Sequence, residues 1–358
     1  MGTAEGRAVR VRVEDLSRYC VAMLAKAGVP VPEAEIATLN LVEADLRGVE
    51  SHGVVRFQNY FERLLAGGTN PRPAMRIVRQ TRTTAVLDGD NGLGHLVGVK
   101  AMELAMEKAA DGDCAFVAVR NSNHYGAAAY YTEMAARRDM IGISFTIGAI
   151  NHMTPWGGAE AMLGNNPFSF AFPRREAAPI VLDMACSNAA RGKIIVAAKD
   201  GTPIPGDWAS GPDGMPTTDP VEALKGFVLP LGGPKGYALT LAVGLLSTML
   251  SGAAFGSEVG HMYENVGTAQ DVGHLFGVLP IASFEDLETY HRRIEAAVHD
   301  LTGVRRSPGV ERIYMPGERE HLAARRHAAE GIPLNRVTFE ELRALGGAHG
   351  VELAASGG

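Results

Sequence analysis

A serine, a histidine and an arginine lie close together early in the chain, in the segment SHGVVR at residues 51–56. The imidazole of His52 can give or take a proton at cellular pH, because the ordinary pKa of histidine lies near neutrality. Arg56 carries a planar, permanently charged guanidinium that matches a carboxylate with two parallel hydrogen bonds. The segment therefore predicts a site that holds a small organic acid beside a proton donor. The alternative is a helix-entry turn in which Ser51 is an N-cap and His52 lies on the surface.

Composition and charge exclude some classes of protein. The chain has 358 residues, of which 46% are hydrophobic and 21% are charged, as is usual for a globular protein. A formal net charge of −6 argues against a nucleic-acid-binding protein, whose surface would be basic. No lysine-rich run is present that would bind an anionic membrane. Cys20, Cys114 and Cys186 are odd in number and far apart, so we expect reduced thiols in a cytoplasmic protein.

Two segments bear on a membrane location. Residues 1–13 mix arginine with glutamate and lack the apolar core of a signal peptide. Residues 236–257 contain no charged side chain, and a bilayer span requires about 20 apolar residues. Glycine, serine and threonine interrupt this stretch and Lys235 precedes it, so we predict a buried core helix instead.

The spacing of apolar residues predicts helices in the first seventy residues and an alternation of strands and helices after them. Segments 13–27, 32–48 and 53–65 have apolar residues at helical spacing and end near glycine. The remaining predicted strands are 75–79, 85–87, 114–119, 141–145, 168–172 and 180–182, and the remaining predicted helices are 97–110, 127–137, 187–198, 284–301, 317–330 and 339–345. This order is typical of an α/β fold, with a long loop at 199–234.

Further polar residues follow predicted strands or begin predicted helices. His124 lies between a strand end and a helix start, where ligands of α/β sheets bind. Asp183 is either a helix cap or, if it reaches His52, a group that raises the imidazole pKa and fixes its tautomer. Lys235 opposes the dipole of the helix that it begins, which favours an anionic partner such as a cofactor phosphate.

Other motifs argue against common alternatives. The glycines at 92–98 are spaced one residue too widely for a dinucleotide fingerprint, and we predict a tight turn there. The sequence contains no HExxH, CxxC or GxSxG motif. We therefore expect no metal site and no α/β-hydrolase chemistry.

Taken in order, the motifs resemble those of the malate/L-lactate dehydrogenase family, oxidoreductases that use a nicotinamide cofactor without a Rossmann domain. The resemblance extends over nearly the whole chain, from Val11 to Gly350. The motifs that carry it are SHGVVR (51–56), NSNHYG (121–126), PWGG (155–158), LGNNP (163–167), DMACS (183–187), GK (192–193), PTTDP (216–220), GGPKGY (232–237) and PGERE (316–320).

The resemblance implies a particular fold and assembly. We expect an α/β protein with a three-layer α/β/α arrangement, a mixed non-Rossmann sheet, and a helical domain formed from both termini. The expected division is a discontinuous helical domain at 1–74 with 282–358, and an NAD(P)-binding mixed-sheet domain at 75–281. A homodimer is also implied.

The resemblance further implies hydride transfer between NAD(P)H and C2 of a small 2-oxo or 2-hydroxy acid. His52 would exchange the proton, Ser51 and Asp183 would orient and tune it, and Arg56 would bind the substrate carboxylate. Thr154 falls near a position that contacts substrate in some members. The residues that match cofactor contacts are His124, Tyr125, Gly126, Asp183, Met184, Ala185, Lys235, Gly317 and Glu318.

Departures from the family pattern leave the substrate open. Residues 146–152 replace a common Thr-Asn-Ser or Thr-Asn-Ala run, Cys186 replaces a threonine, and Tyr125 replaces a phenylalanine. The first change lies near the expected substrate pocket. A cyclic imine carboxylate, as in piperideine- or pyrroline-2-carboxylate reduction, is therefore an alternative substrate, and a non-catalytic nucleotide binder is a second alternative. The choice between NAD and NADP also stays open.

Overall fold

The computed structural model describes residues 8–355. The strands are β1 (Ala8–Val11), β2 (Arg76–Gln80), β3 (Thr84–Asp88), β4 (Ala115–Ser122), β5 (Met140–Thr146), β6 (Phe168–Phe172), β7 (Ile180–Met184), β8 (Ala209–Ser210), β9 (Pro216–Thr217), β10 (Phe227–Val228), β11 (Val272–Pro280) and β12 (Ile332–Asn335). The helices are α1 (Val13–Lys26), α2 (Val31–Leu46), α3 (Phe57–Leu65), α4 (Gly94–Lys108), α5 (Ala128–Ala136), α6 (Arg191–Asp200), α7 (Pro220–Lys225), α8 (Pro234–Thr248), α9 (Leu287–Gly303), α10 (Glu318–Glu330) and α11 (Arg336–Ala348).

A seven-stranded mixed sheet is the centre of the molecule. Its strand order is β2-β3-β4-β11-β5-β6-β7, with β3 and β4 parallel and the other neighbours antiparallel. On one face α4 and α5 pack against the sheet, where Met102 and Tyr131 join Phe276 in an apolar core. On the other face α8 approaches so closely that a Cβ at Gly273 would lie 2.4 Å from the Ser247 carbonyl oxygen. The predicted three-layer α/β/α fold with a mixed sheet is thus confirmed.

Segments from the two ends of the chain pack together. β1 pairs with β12 in a two-stranded antiparallel sheet. Leu16 and Leu24 of α1 share one apolar cluster with Phe339 of α11, and the Tyr19 hydroxyl donates to the Leu342 carbonyl over 2.5 Å. α9 attaches elsewhere, through a two-bond ion pair between Arg174 and Glu295 beside the sheet. The exact domain boundaries stay a prediction.

The structure corrects several expectations from the sequence. β11 was not predicted, although it is the central strand and nearly all of its residues are buried. The helix predicted from residue 53 begins only at Phe57, after two 3₁₀ turns at 50–52 and 54–56. The loop at 199–234 contains a small sheet of order β10-β8-β9. The uncharged stretch forms α8, but its outward side is exposed, so the prediction of a buried core helix was wrong.

Candidate active site

A cavity of about 320 Å³ lies between α2, the turn at 50–52, the start of α5, β7 and the start of α10. The helices α5 and α10 begin beside this cavity, and the free amides of a helix N-terminus favour polar and anionic ligands. The cavity brings together residues that are far apart in the sequence. Those predicted as site residues that line it are Ser51, His52, Gly126, Asp183, Met184, Ala185 and Gly317.

His52 is half-buried at the wall of this cavity. Its Nδ1 lies 2.9 Å from Ser51 Oγ, and its ring stacks on that of His124 with the centroids 5.7 Å apart. Burial, together with the nearby positive charge of Arg56, lowers the pKa of His52 to about 3. The free protein therefore holds His52 as a neutral imidazole, the form that accepts a proton.

Arg56 is held next to His52 by contacts on two sides. Its Nε donates to the Ser51 carbonyl and its Nη1 donates to the Tyr263 hydroxyl, with Met262 Sδ at 3.7 Å from Nη1. The helix predicted from residue 53 would place the two side chains on nearly the same side, but the helix begins only at Phe57. The turn at 54–56 folds Arg56 back on the segment that carries His52 instead.

Asp45 holds the junction at Gly53 between the two 3₁₀ turns. Asp45 was not among the site residues predicted from the sequence. It is 3% exposed, and its Oδ2 accepts a hydrogen bond of 2.8 Å from the Val54 N–H. A Cβ at Gly53 would lie only 2.1 Å from Asp45 Oδ1. Burial raises the pKa of Asp45 to about 8, the Val54 amide opposes this rise, and Glu50 adds to it. A carboxyl on the same buried side of α2 as Ala37, Leu41 and Ala44 is the sequence signal that could have revealed it.

Asp183 and the residues of the NSNHYG segment form hydrogen bonds to different parts of the molecule. The Asp183 carboxylate accepts a hydrogen bond of 2.7 Å from the Ala129 N–H at the start of α5, so its hydrogen bond goes to that helix and not to His52. His124 Nδ1 lies 2.7 Å from the Tyr60 hydroxyl. Tyr125 is buried in the core, where its hydroxyl lies 3.0 Å from Ser144 Oγ.

The cavity wall offers hydrogen-bonding groups to a ligand. Gly126 and Gly317 have φ of +78° and +82°, and a Cβ there would lie 2.3 Å from Asn40 Oδ1 and 2.8 Å from Val181 Cβ. A side chain at either position would therefore overlap its neighbours, and the positive φ also favours glycine. The Asn40 side chain lines the cavity, and its amide nitrogen and oxygen are buried without a hydrogen-bond partner among residues 8–355. Such an amide can pair with the hydroxyl or carboxamide groups of a nicotinamide dinucleotide.

Six predicted site residues do not line this cavity: Arg56, His124 and Tyr125, whose contacts are given above, and Thr154, Lys235 and Glu318. Lys235 is exposed in the first turn of α8, and Thr154 is half-buried in the loop between β5 and β6. The Glu318 carboxylate pairs with Arg312 and accepts from the Met315 N–H, and it lines a second cavity of about 630 Å³. Glu320, which was not predicted, lines the first cavity instead.

Comparison with known proteins identifies the family. The model of the malate/L-lactate dehydrogenase family matches residues 11–343. The chain belongs to the malate/L-lactate dehydrogenase family. It is 40% identical over 359 residues to the malate dehydrogenase of Pyrococcus horikoshii, covering 98% of both chains. The structure of sulfolactate dehydrogenase from Methanocaldococcus jannaschii aligns with a TM-score of 0.90 and 38% identity, covering 96% of this chain and 98% of that one. The δ1-piperideine-2-carboxylate reductase of Pseudomonas syringae pvar. tomato aligns with a TM-score of 0.83 and 27% identity, covering 94% and 99%.

Membership of this family confirms the predicted enzyme class. The chain is an oxidoreductase that uses NAD or NADP and acts on 2-hydroxy acids, in line with relatives named for NAD(+) and for NADP(+). None of the helices within residues 8–355 is both long enough and apolar enough to cross a membrane.

Proposed function

We propose that this malate/L-lactate dehydrogenase family member holds the carboxylate of its substrate on Arg56 while His52 exchanges a proton with the group on C2. One observation carries the proposal: the Arg56 guanidinium is held by the Ser51 carbonyl and the Tyr263 hydroxyl, close to His52, which lines the cavity. In a 2-hydroxy acid the carboxylate and the reacting oxygen are one carbon apart. The two side chains therefore suit the two groups at once.

The proton chemistry follows from the state of His52. When bound, the nicotinamide ring supplies or takes up the hydride at C2. In the oxidation direction the neutral imidazole takes the hydroxyl proton, and in reduction the imidazolium returns it to the oxo oxygen. Ser51 Oγ lies 2.9 Å from Nδ1, and we assign it as the acceptor of a hydrogen bond from Nδ1–H, so that Nε2 is the atom that exchanges the proton. Ser51 thereby fixes the tautomer.

We assign the cofactor to the cavity lined by Gly126, Met184, Ala185 and Gly317, with Asn40 as an additional contact. Asp183 positions the start of α5 through the Ala129 amide, which sets the shape of one cavity wall. The His124 ring supports the His52 imidazole by stacking and is itself held by the Tyr60 hydroxyl. Lys235, Thr154 and Glu318, for which the resemblance implies contacts with cofactor or substrate, do not line this cavity.

The low pKa of His52 predicts an unusual pH profile. We expect kcat/KM for oxidation of a 2-hydroxy acid to stay level from about pH 8 to about pH 5, because His52 in the free enzyme is protonated only near its lowered pKa of about 3. An ordinary histidine base would lose activity below about pH 6.5. Substrate bound to Arg56 neutralises one cause of the shift, so the acid-side pKa seen in kcat should be higher than that in kcat/KM. An acid limb near 6.5 in kcat/KM would contradict the assignment.

Replacing Arg56 by lysine tests the carboxylate contact. Lysine keeps the charge but loses the two-bond fork, so KM for the 2-oxo acid should rise by roughly an order of magnitude or more, with a smaller change in kcat. The measurement is steady-state oxidation of NADH and NADPH with pyruvate and oxaloacetate. Arg79→Lys, at an exposed position on β2, is the matched control and should behave as wild type. If Arg56→Lys also behaves as wild type, the carboxylate is bound elsewhere.

Reduction of a cyclic imine carboxylate is a second candidate reaction. It is favoured by the likeness to the piperideine-2-carboxylate reductase structure over 94% of this chain. The imine also places a carboxylate beside an sp² carbon, so Arg56 and His52 could serve it in the same roles. Assays with piperideine- and pyrroline-2-carboxylate beside the 2-oxo acids separate the two substrate classes. Nucleotide binding without turnover of any of these substrates would favour a non-catalytic binder.

We also propose that the enzyme is a homodimer that works in the cytoplasm. The family resemblance supports the dimer. The cytoplasmic location is supported by the free state of Cys20, Cys114 and Cys186, of which Cys20 and Cys186 are buried.

A further inference from the structure

Arg63 of α3 is a buried cation. Its side chain is only 1% exposed, and arginine keeps its proton inside proteins. Removing a charge from water without an opposite charge beside it is costly. Within residues 8–355, however, the Arg63 guanidinium donates its hydrogen bonds to backbone carbonyl oxygens and none to a carboxylate. An ion pair therefore does not explain why this arginine is buried.

The carbonyl groups that Arg63 binds belong mainly to one loop, residues 261–268. One of the four acceptors is the Gly68 carbonyl just after α3, at 3.2 Å from Nη2. The other three lie about 200 residues later in the chain, in the loop. They are the carbonyl oxygens of His261 and Met262, at 3.4 and 3.5 Å from Nη1, and of Thr268, at 2.5 Å from Nη2. The guanidinium thus joins α3 to both ends of the loop.

The backbone of this loop also lies directly against the end of α3. A Cβ at Gly68 would be 1.9 Å from the Val266 carbonyl oxygen, and a Cβ at Gly267 would be 3.3 Å from the Ala66 carbonyl oxygen. A glycine on each side therefore allows the close approach. The loop contains no helix or strand. The Arg63 N–H groups supply hydrogen bonds that regular secondary structure would otherwise provide.

The same loop carries the side chains that hold Arg56. The Arg56 Nη1 donates to the Tyr263 hydroxyl and lies 3.7 Å from Met262 Sδ. Arg56 is the N-cap residue of α3, and Arg63 follows seven residues later, about two turns along the same side of the helix. Two arginines of one helix thus meet one loop. The buried arginine binds the loop backbone, and the other binds its side chains.

We propose that Arg63 is a positioning residue for the substrate carboxylate. By binding the backbone of the loop it holds Tyr263 against Arg56, and Tyr263 in turn orients the guanidinium that receives the carboxylate. A guanidinium that is already oriented loses less conformational freedom when substrate binds, so this arrangement should act on substrate affinity. The inference rests on the proposed role of Arg56 and adds to it the residue that maintains its geometry.

Replacing Arg63 by methionine tests the proposal, because methionine fills irregular space in a core but donates no hydrogen bond. KM for pyruvate and oxaloacetate should rise about tenfold or more. In contrast, kcat should stay within about threefold of wild type, because His52 is held by Ser51 and His124, which lie outside the loop. KM for NADH should not change. Arg63→Lys keeps the charge with fewer donors and should give an intermediate KM.

A second variant tests the proposal from the loop side. Tyr263 is 42% exposed, so Tyr263→Phe should fold normally while it removes the hydroxyl that binds Arg56. It should raise KM for the 2-oxo acid by a similar factor. In the double variant with Arg63→Met, the rise in KM should be no larger than the larger single rise, since both changes release the same guanidinium. Amide hydrogen exchange of residues 261–268 should become at least about fivefold faster in Arg63→Met and stay unchanged in Tyr263→Phe.

Arg79→Met, at an exposed position on β2, is the matched control and should behave as wild type. If Arg63→Met does not fold, Arg63→Lys takes its place in every measurement. Multiplicative losses in the double variant, a wild-type KM in Tyr263→Phe, or a loss confined to kcat would each overturn the proposal. Arg56→Lys is assayed in parallel. A raised KM in Arg56→Lys with a wild-type KM in Arg63→Met overturns this inference alone, whereas a wild-type KM in Arg56→Lys overturns the proposed function and this inference with it.

Discussion

Replacing His52 by alanine is expected to reduce kcat by roughly 10²–10⁴-fold, the usual contribution of a general acid or base. The imidazole is the titratable group at the cavity wall that lies beside Arg56, and its lowered pKa keeps it ready to accept a proton. Cofactor affinity should change little, because the cavity is lined by many residues besides His52. The measurements are kcat from nicotinamide absorbance and cofactor affinity from nicotinamide fluorescence.

Two further histidine variants test whether the loss of activity is specific to His52. His299→Ala, at an exposed position on α9, should have no effect and controls for the loss of a histidine as such. His124→Ala removes the stacking partner of His52 and should have an effect of intermediate size. Unchanged kcat in His52→Ala would remove His52 from the mechanism. His124 would then be the candidate proton donor.

Replacing Gly53 by alanine should reduce kcat/KM by about 10- to 100-fold, because overpacking a buried site typically costs about 1–3 kcal/mol and this overlap lies between His52 and Arg56. The new methyl group would lie 2.1 Å from Asp45 Oδ1, in a place where Asp45 is buried and bound to the Val54 amide. The two 3₁₀ turns must then shift. The loss should appear in both kcat and KM, since His52 and Arg56 flank the glycine, and the melting temperature should also fall.

A double variant distinguishes this cause from a general effect of alanine. In Gly53→Ala with Asp45→Ala the overlap disappears, so the combined loss should be smaller than the sum of the two single losses. Gly347→Ala on α11 is the matched control, because a Cβ there has no neighbour within 4 Å. Additive losses in the double variant would show that Asp45 does not position the turn.

Local features of the sequence were sufficient to predict much of this molecule. The bounds of β6 agree with those predicted, and α1, α2 and α5 end within about two residues of the predicted ends. Periodicity succeeds here because each of these elements buries one side against its neighbours. The reactive residue types at 51–56 were equally visible, since imidazole and guanidinium chemistry belongs to the side chains themselves.

The central strand shows where local features fail. β11 is covered on both faces, so its side chains do not alternate between apolar and polar. Gly273, His274 and Gly277 further weaken the strand signal. Its place in the sheet depends on β4 and β5, which precede it by more than a hundred residues. A single window of the sequence contains no information about those partners.

The sequence by itself determined which groups could do chemistry, the approximate order of the elements, and the family pattern that joins them. Only the tertiary structure decided how His52 and Arg56 meet, since Arg56 is held by Tyr263, 207 residues later in the chain. It also decided that Asp183 contacts Ala129, that Asp45 lies against Gly53, and that one side of α8 is exposed. The physical reason is that side-chain chemistry and helical or strand periodicity depend on near neighbours. Burial, pKa shifts and contacts between distant segments depend on how the whole chain packs.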